Sequence, residues 1–150
     1  MNTYSALIFK AMEIAYKSHE GQLDKSGMPY IFHPAYLASQ METEQEIIVA
    51  LLHDVVEDTE VTFEDLEKEG FPSEVMEAIK LITHNDYSPY FDYIRRVAGN
   101  PISRKVKLAD LHHNGNPTRT RKPEHDSPGL QKRMERYPRA IEMLEEADDL

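Results

Sequence analysis

The run from Ile48 to Asp58, IVALLHDVVED, constrains this chain more than any other stretch. Drawn as a helix at about 100° per residue, it divides into two faces of different chemistry. Ile48, Leu51, Leu52, Val55 and Val56 make one apolar stripe that needs a core to pack on. Opposite them lie His53, Asp54 and Glu57, with only Ala50 between, and Asp58 falls at the edge of that cluster. A helix of this kind, expected from about Glu44 to Glu57, belongs inside a helical assembly that leaves the polar cluster reachable.

Adjacent His53 and Asp54 diverge by roughly a quarter turn on a helix. Both can reach one ion only if it sits close against the backbone, which the small Ala50 permits, and Glu57 one turn on from His53 then overhangs it. An imidazole among carboxylates suits Mn, Fe, Zn or Co better than Ca, and three or four protein ligands leave room for water. Such a water is a nucleophile near neutral pH, and Glu57 and Asp58 could manage its protons. The alternative is a hydrogen-bonded His53–Asp54 pair at a helix end, with Glu57 and Asp58 solvated.

Two other places bear on the choice. His33 precedes Pro34, and proline favours the first turn of a helix while pushing the residue before it into extended backbone. That puts His33 on a rigid corner at a helix start. Further on, Asn100 as N-cap and Pro101 at the first position open a helix running to His112. Asp110 lies there among Val106, Leu108, Ala109 and Leu111, and a carboxylate in such company needs a partner. A metal, an arginine or a capping role would each serve.

Three segments in this order, HEGQLDKSGMPYIFHP (19–34), ALLHDVVEDT (50–59) and VKLADLHHN (106–114), closely resemble the metal-dependent HD hydrolase domain of the RelA/SpoT alarmone enzymes, above all the small stand-alone alarmone hydrolases. The resemblance spans about the first four-fifths of the chain. It implies a divalent metal, usually manganese, held by His33, His53, Asp54 and Asp110. It also implies that Glu57 and Asp58 position and deprotonate the attacking water, and that Lys25, Ser26 and Asn114 contact the nucleotide. The implied reaction removes the 3′-pyrophosphate from ppGpp or pppGpp, leaving GDP or GTP.

Two departures stand out. Where the alarmone hydrolases usually carry an arginine that stacks on guanine, this chain has Asp24, which cannot stack as a planar cation and repels phosphate. The loop after Asn114, in HHNGNPT (112–118), is altered, so substrate contacts beyond that residue are not carried over. A different phosphorylated nucleotide is one alternative substrate, and a non-catalytic HD module that senses a nucleotide is another reading. Retention of both Glu57 and Asp58 counts against the second.

Composition narrows the partners. The net charge of −10 argues against a nucleic-acid binder, which needs a basic face. The charge is unevenly spread, about +8 over residues 95–139 and −18 over the remainder, so a basic second half could draw phosphates toward an acidic first half. There are no cysteines, hence no disulfide framework or thiolate chemistry. With short apolar runs and no signal peptide, neither a membrane association nor export is expected, and the cytoplasm is the default compartment.

The expectation is therefore all-α: one compact multi-helix HD-domain bundle over residues 1–150, without alternating strands. Besides those above, helices are expected over about Thr3 to His19, stopped by Gly21, and from a Thr62 cap with Asp65 to near Gly70. Others should run from Pro72 to Leu81, Pro89 to Ala98 and Gln131 to Ala147. Residues 113–129 read as a long irregular connection in which Arg119, Arg121, Lys122 and His125 could close over a phosphate. His19 and His84 read as structural or solvated, and His112 and His113 flank the Asp110 site without matching a family ligand.

Overall fold

Ser5 accepts the Ile8 N–H on its hydroxyl and so opens α1 (Ala6–Ser18), whose Ala11 and Ala15 pack with no exposed surface. The chain then folds through α2 (Phe32–Ser39), α3 (Glu44–Leu52), α4 (Val55–Asp58), α5 (Phe63–Lys68), α6 (Ser73–Ile82), α7 (Tyr90–Ala98), α8 (Pro101–Asn114) and α9 (Pro128–Asp148). The computed structural model describes residues 5–84, 87–116 and 128–148. Among these there is no strand beyond a single bridge between Leu23 and Pro29, so the all-helical expectation holds. No helix among them is long and apolar enough to cross a membrane. Arg119, Arg121, Lys122 and His125 lie outside the described residues.

Local chemistry sets most boundaries. Thr43 with Glu46 and Thr62 with Asp65 close reciprocal capping boxes at the starts of α3 and α5, while Asn100 accepts the Ser103 N–H ahead of Pro101 at the start of α8. Gly21 and Gly70 turn the chain after α1 and α5 with φ of 85° and 90°, values that side chains beyond glycine rarely adopt. Pro72 and Pro89 stand as N-caps just outside α6 and α7, and α8 and α9 run somewhat further than their sequence patterns suggest.

α3 is the axis of the molecule. It packs on α1, α2, α6 and α8, and every residue from Ile48 to Leu52 is buried. The polar side expected from the sequence is buried at one end and open at the other: Ala50 and His53 lie in the interior, whereas Glu57 and Asp58 are exposed. A first core joins α1, α2, α3, α5 and α6 around Leu37, Leu51, Leu66 and Ile79. A second joins α7, α8 and α9 around Tyr93, Ile94, Leu111 and Leu144. α8 serves both, with Val106 in the first and Leu111 in the second, so Asp110 falls at the seam between them.

Candidate metal centre

The helix carrying the central motif breaks at the motif itself. α3 ends at Leu52 and α4 begins at Val55, whereas the periodicity predicts one helix to Glu57. At the break His53 donates its Nδ1–H to the Ala50 carbonyl at 2.7 Å, the same oxygen that Asp54 N–H would meet in an unbroken helix. The break re-aims Asp54, so neighbouring side chains that would diverge on a helix face one point, with His53 Nε2 2.9 Å from Asp54 Oδ2.

His33 approaches from α2 and Asp110 from α8. His33 is already inside the first turn of α2, not extended as the following proline suggests, although Pro34 still occupies a first-turn position where its missing N–H costs no helical bond. Its Nε2 lies 2.8 Å from Asp110 Oδ1, and His53 Nε2 lies 3.4 Å from the same oxygen. His33, His53, Asp54 and Asp110 thus each turn one donor atom inward, all within 4.8 Å of one another.

The fit to a divalent cation can be tested on His53. Its Nδ1–H is committed to Ala50, so in the neutral ring Nε2 is a bare lone pair, yet it is buried against two carboxylates and makes no hydrogen bond. Acceptors facing acceptors need a positive charge between them. Burial opposes a proton there, but the charges of Asp54 and Asp110 outweigh it and hold the His53 pKa well above the usual range. A cation bound by the same four atoms would satisfy them equally well, and two imidazoles with two carboxylates form a borderline donor set suited to Mn, Fe, Co or Zn.

Residues around the four set their orientation. The Tyr30 hydroxyl donates to Asp54 Oδ2, and burial together with Asp54 raises its pKa far beyond the ordinary range. Lys107, one turn before Asp110, donates to Asp110 Oδ2 at 3.0 Å, while Asn114, one turn after, donates to Oδ1 at 2.9 Å. Burial would raise the Asp110 pKa, but Lys107 and the histidines hold it well below the usual carboxylate value. Asp110's partners are thus Lys107, Asn114 and two histidines, where the sequence offered a metal, an arginine pair or a capping role, and its Oδ1 remains turned toward the candidate metal cluster.

One cavity of about 400 Å³ opens on this cluster, a size common for small-molecule sites. Its lining combines the carboxylates of Asp54, Glu57, Asp58 and Asp110 with the cations of Lys25, Lys107 and Arg136. Glu57 accepts the His84 backbone N–H at 2.7 Å; burial raises its pKa against that bond, with Asp54 adding to the rise. Asp58 reaches solvent at the rim, yet lost hydration and the charges of Asp54 and Glu57 push it up to about 6. Of the expected nucleotide contacts, Lys25 and Asn114 line the cavity and Ser26 does not. Ser26 instead gives its N–H to Asp24, whose Oδ1 also takes the Met28 N–H, both at 2.9 Å. The Asp24 carboxylate therefore caps its own loop.

Sequence reasoning missed Tyr30 and Lys107, although Tyr30 sits in the quoted 19–34 segment and Lys107 stands at helical spacing from Asp110. It undervalued His84, which stacks on Tyr93 at 4.3 Å in the cavity wall. His19 is structural as expected, buried with Nδ1 against Gln22 Oε1, and His112 points outward, 3.9 Å from Glu145.

No family model matches the chain. Among curated proteins it is 45% identical over 80 residues to a guanosine-3′,5′-bis(diphosphate) 3′-pyrophosphohydrolase of Borreliella burgdorferi, covering 51% of this chain and 12% of that protein. It is 35% identical over 122 residues to the bifunctional (p)ppGpp synthase/hydrolase SpoT of Escherichia coli strain K12, covering 70% of this chain and 17% of SpoT. The chain thus spans less than a fifth of the length of these curated relatives. A solved structure of a metazoan ortholog of SpoT, described as hydrolysing ppGpp, superposes with a TM-score of 0.76 at 23% identity, covering 96% of this chain and 88% of that one. That likeness carries the fold, and the sequence matches carry the kinship: the chain belongs to the HD-type hydrolases of the RelA/SpoT family.

Proposed function

We propose that this chain is a metal-dependent nucleotide phosphohydrolase that removes the 3′-pyrophosphate from ppGpp or pppGpp. One observation carries the reading: His33, His53, Asp54 and Asp110 bring four donor atoms within 4.8 Å of one another, and two of these residues, Asp54 and Asp110, line one cavity with the acidic pair Glu57 and Asp58. The names of the relatives supply the substrate, and the cavity has room for a nucleotide.

His33, His53, Asp54 and Asp110 would hold a divalent cation, manganese by the family's habit, which would supply positive charge at the scissile phosphate and lower the pKa of a nearby water. The chain's own residues do the rest. Asp58, with a pKa near neutrality, takes the proton of the attacking water, and Glu57, pinned by the His84 N–H, orients that water. The water oxygen bonds to the pyrophosphate phosphorus, the bond from that phosphorus to the 3′ oxygen breaks, and the proton passes to the departing ribose hydroxyl. Lys107 and Lys25 offset the negative charge that builds on the phosphates, and Asn114 stands ready to bond the ribose. A cytoplasmic nucleotide pool fits this substrate.

A second reading concerns the base alone. Asp24 spends its carboxylate on Ser26 and Met28, so the guanine stack of the alarmone hydrolases has no counterpart at that position, which favours a looser base preference. The deciding experiment incubates the purified chain with Mn2+ and a panel of nucleotides, ppGpp included, and identifies the products. Pyrophosphate and GDP from ppGpp would support the reading. Release from another phosphorylated nucleotide alone would transfer it to that substrate, and no release from any would leave a sensor module.

A further inference from the structure

Each of the two candidate histidine ligands must present a bare nitrogen, and that requires its proton to be held on the other one. For His53 the Ala50 carbonyl does this, because a carbonyl can only accept. For His33 the partner is another imidazole: His33 Nδ1 lies 2.6 Å from His113 Nδ1. The two rings are almost parallel at 3° with centroids 4.9 Å apart. The nitrogens are closer than the centroids by about two ring radii, so the rings meet edge to edge, nitrogen facing nitrogen. Only one proton fits between them. If His113 donated it, His33 would carry its own proton on Nε2, toward Asp110 and the cluster, and could not ligate. If His33 donates it, Nε2 is free.

We infer that His113 is a positioning residue that accepts the Nδ1 proton of His33 and so fixes His33 in the tautomer able to bind the cation. The inference rests on the metal reading above. His113 is itself built in: Tyr36, one turn after His33 on α2, stacks on its ring at 4.2 Å and 20°, which sets its plane. It also sits one turn after Asp110 on α8, so that helix supplies both a ligand and the orienter of another ligand.

The test compares Mn2+ affinity, by titration calorimetry, in the wild type, His113→Phe and His113→Gln. Phenylalanine keeps an aromatic ring against Tyr36 but cannot accept; the glutamine carbonyl can. Phe should weaken Mn2+ binding by about 10- to 100-fold, with the fold checked by circular dichroism, and Gln should recover most of it. Wild-type affinity in His113→Phe, alongside loss of binding in His33→Ala, would overturn the role of His113 and leave the metal reading standing. A wild type that binds no Mn2+ would overturn both. Independently of metal, nitrogen-15 spectra of the metal-free chain should show coupling across the His33–His113 bond, and its absence would overturn the contact on which the inference stands.

Discussion

Lys107 holds Asp110 from one helical turn away, its ammonium 3.0 Å from Oδ2, so that Oδ1 alone turns toward His33, His53 and Asn114. One carboxylate is divided between a permanent cation on one side and the cluster on the other. Burial works against a charge on Lys107, but the charge of Asp110 and its hydrogen bond to the ammonium raise the pKa well above the ordinary value, so it stays protonated.

Removing that cation should strip Asp110 Oδ2 of its lysine partner in the seam. Lys107→Met is expected to destabilise the metal-free chain by about 3 kcal/mol, measured by urea unfolding. Because a divalent ion would restore positive charge beside Asp110, Mn2+ should recover part of the loss; a variant as stable as wild type without metal would show that the pair contributes nothing.

The donors and the acidic pair should separate experimentally. His53→Ala and Asp54→Ala are expected to abolish Mn2+ binding, read by calorimetry. Glu57→Gln should bind Mn2+ normally while turnover of ppGpp falls about 100-fold or more. A glutamine variant with the wild-type rate would remove Glu57 from the mechanism.

Tyr30 should act through Asp54. Its hydroxyl bonds the carboxylate, and hydrogen bonds to charged groups contribute about 1.5–3 kcal/mol. Tyr30→Phe should therefore weaken Mn2+ binding by about tenfold or more without disturbing the helical circular dichroism, since the ring remains between His19 and His33. Unchanged affinity would make the hydroxyl incidental.

Asp58 predicts a pH dependence in the metal-free chain. Its carboxyl binds a proton more tightly in the folded chain, at about 6, than in the unfolded chain, where an ordinary aspartate titrates at 3.8. The stability from that proton is fully present below 3.8 and is lost as pH rises through about 6. Carbon-13 titration should place the midpoint near 6, and Asp58→Asn should flatten the fall in stability over that window. A midpoint near an ordinary carboxylate's would contradict the crowding by Asp54 and Glu57.

The Asp24 loop offers a further check. Replacing Asp24 by Ala strands the Ser26 and Met28 N–H groups, at a cost of about 1 kcal/mol. Since Lys25 lies within that loop and lines the cavity, the variant should raise KM for the nucleotide with little change in kcat. Equal changes in both constants would detach the loop from substrate binding.

Much of this was written locally. Capping residues such as Thr62 with Asp65 and Asn100 with Pro101 satisfy helix ends through neighbours a few residues away, so the starts of α5 and α8 could be read before any tertiary contact was known. The four inward donors were legible too, as residue types in a family's order, and the structure brings them together. Other features were invisible for stated reasons. Periodicity cannot see the His53 imidazole meet the Ala50 carbonyl, and it runs one helix through a break. The local preference that Pro34 imposes on His33 yields to tertiary structure, because α2 packs on α3 and α8 with His33 inside the helix.

The sequence by itself determined that the chain is helical, where the capped starts of α3, α5 and α8 lie and which residue types could hold a cation, because those depend on spacing along one chain. Only the tertiary structure decided which atom each of those residues presents. That Tyr30 reaches Asp54 and that His113 meets His33 edge to edge across 80 positions both depend on remote segments meeting at one seam. Distances of 3 Å between such remote residues are set by the packing of two cores on either side of α8, and no pattern along the chain encodes them.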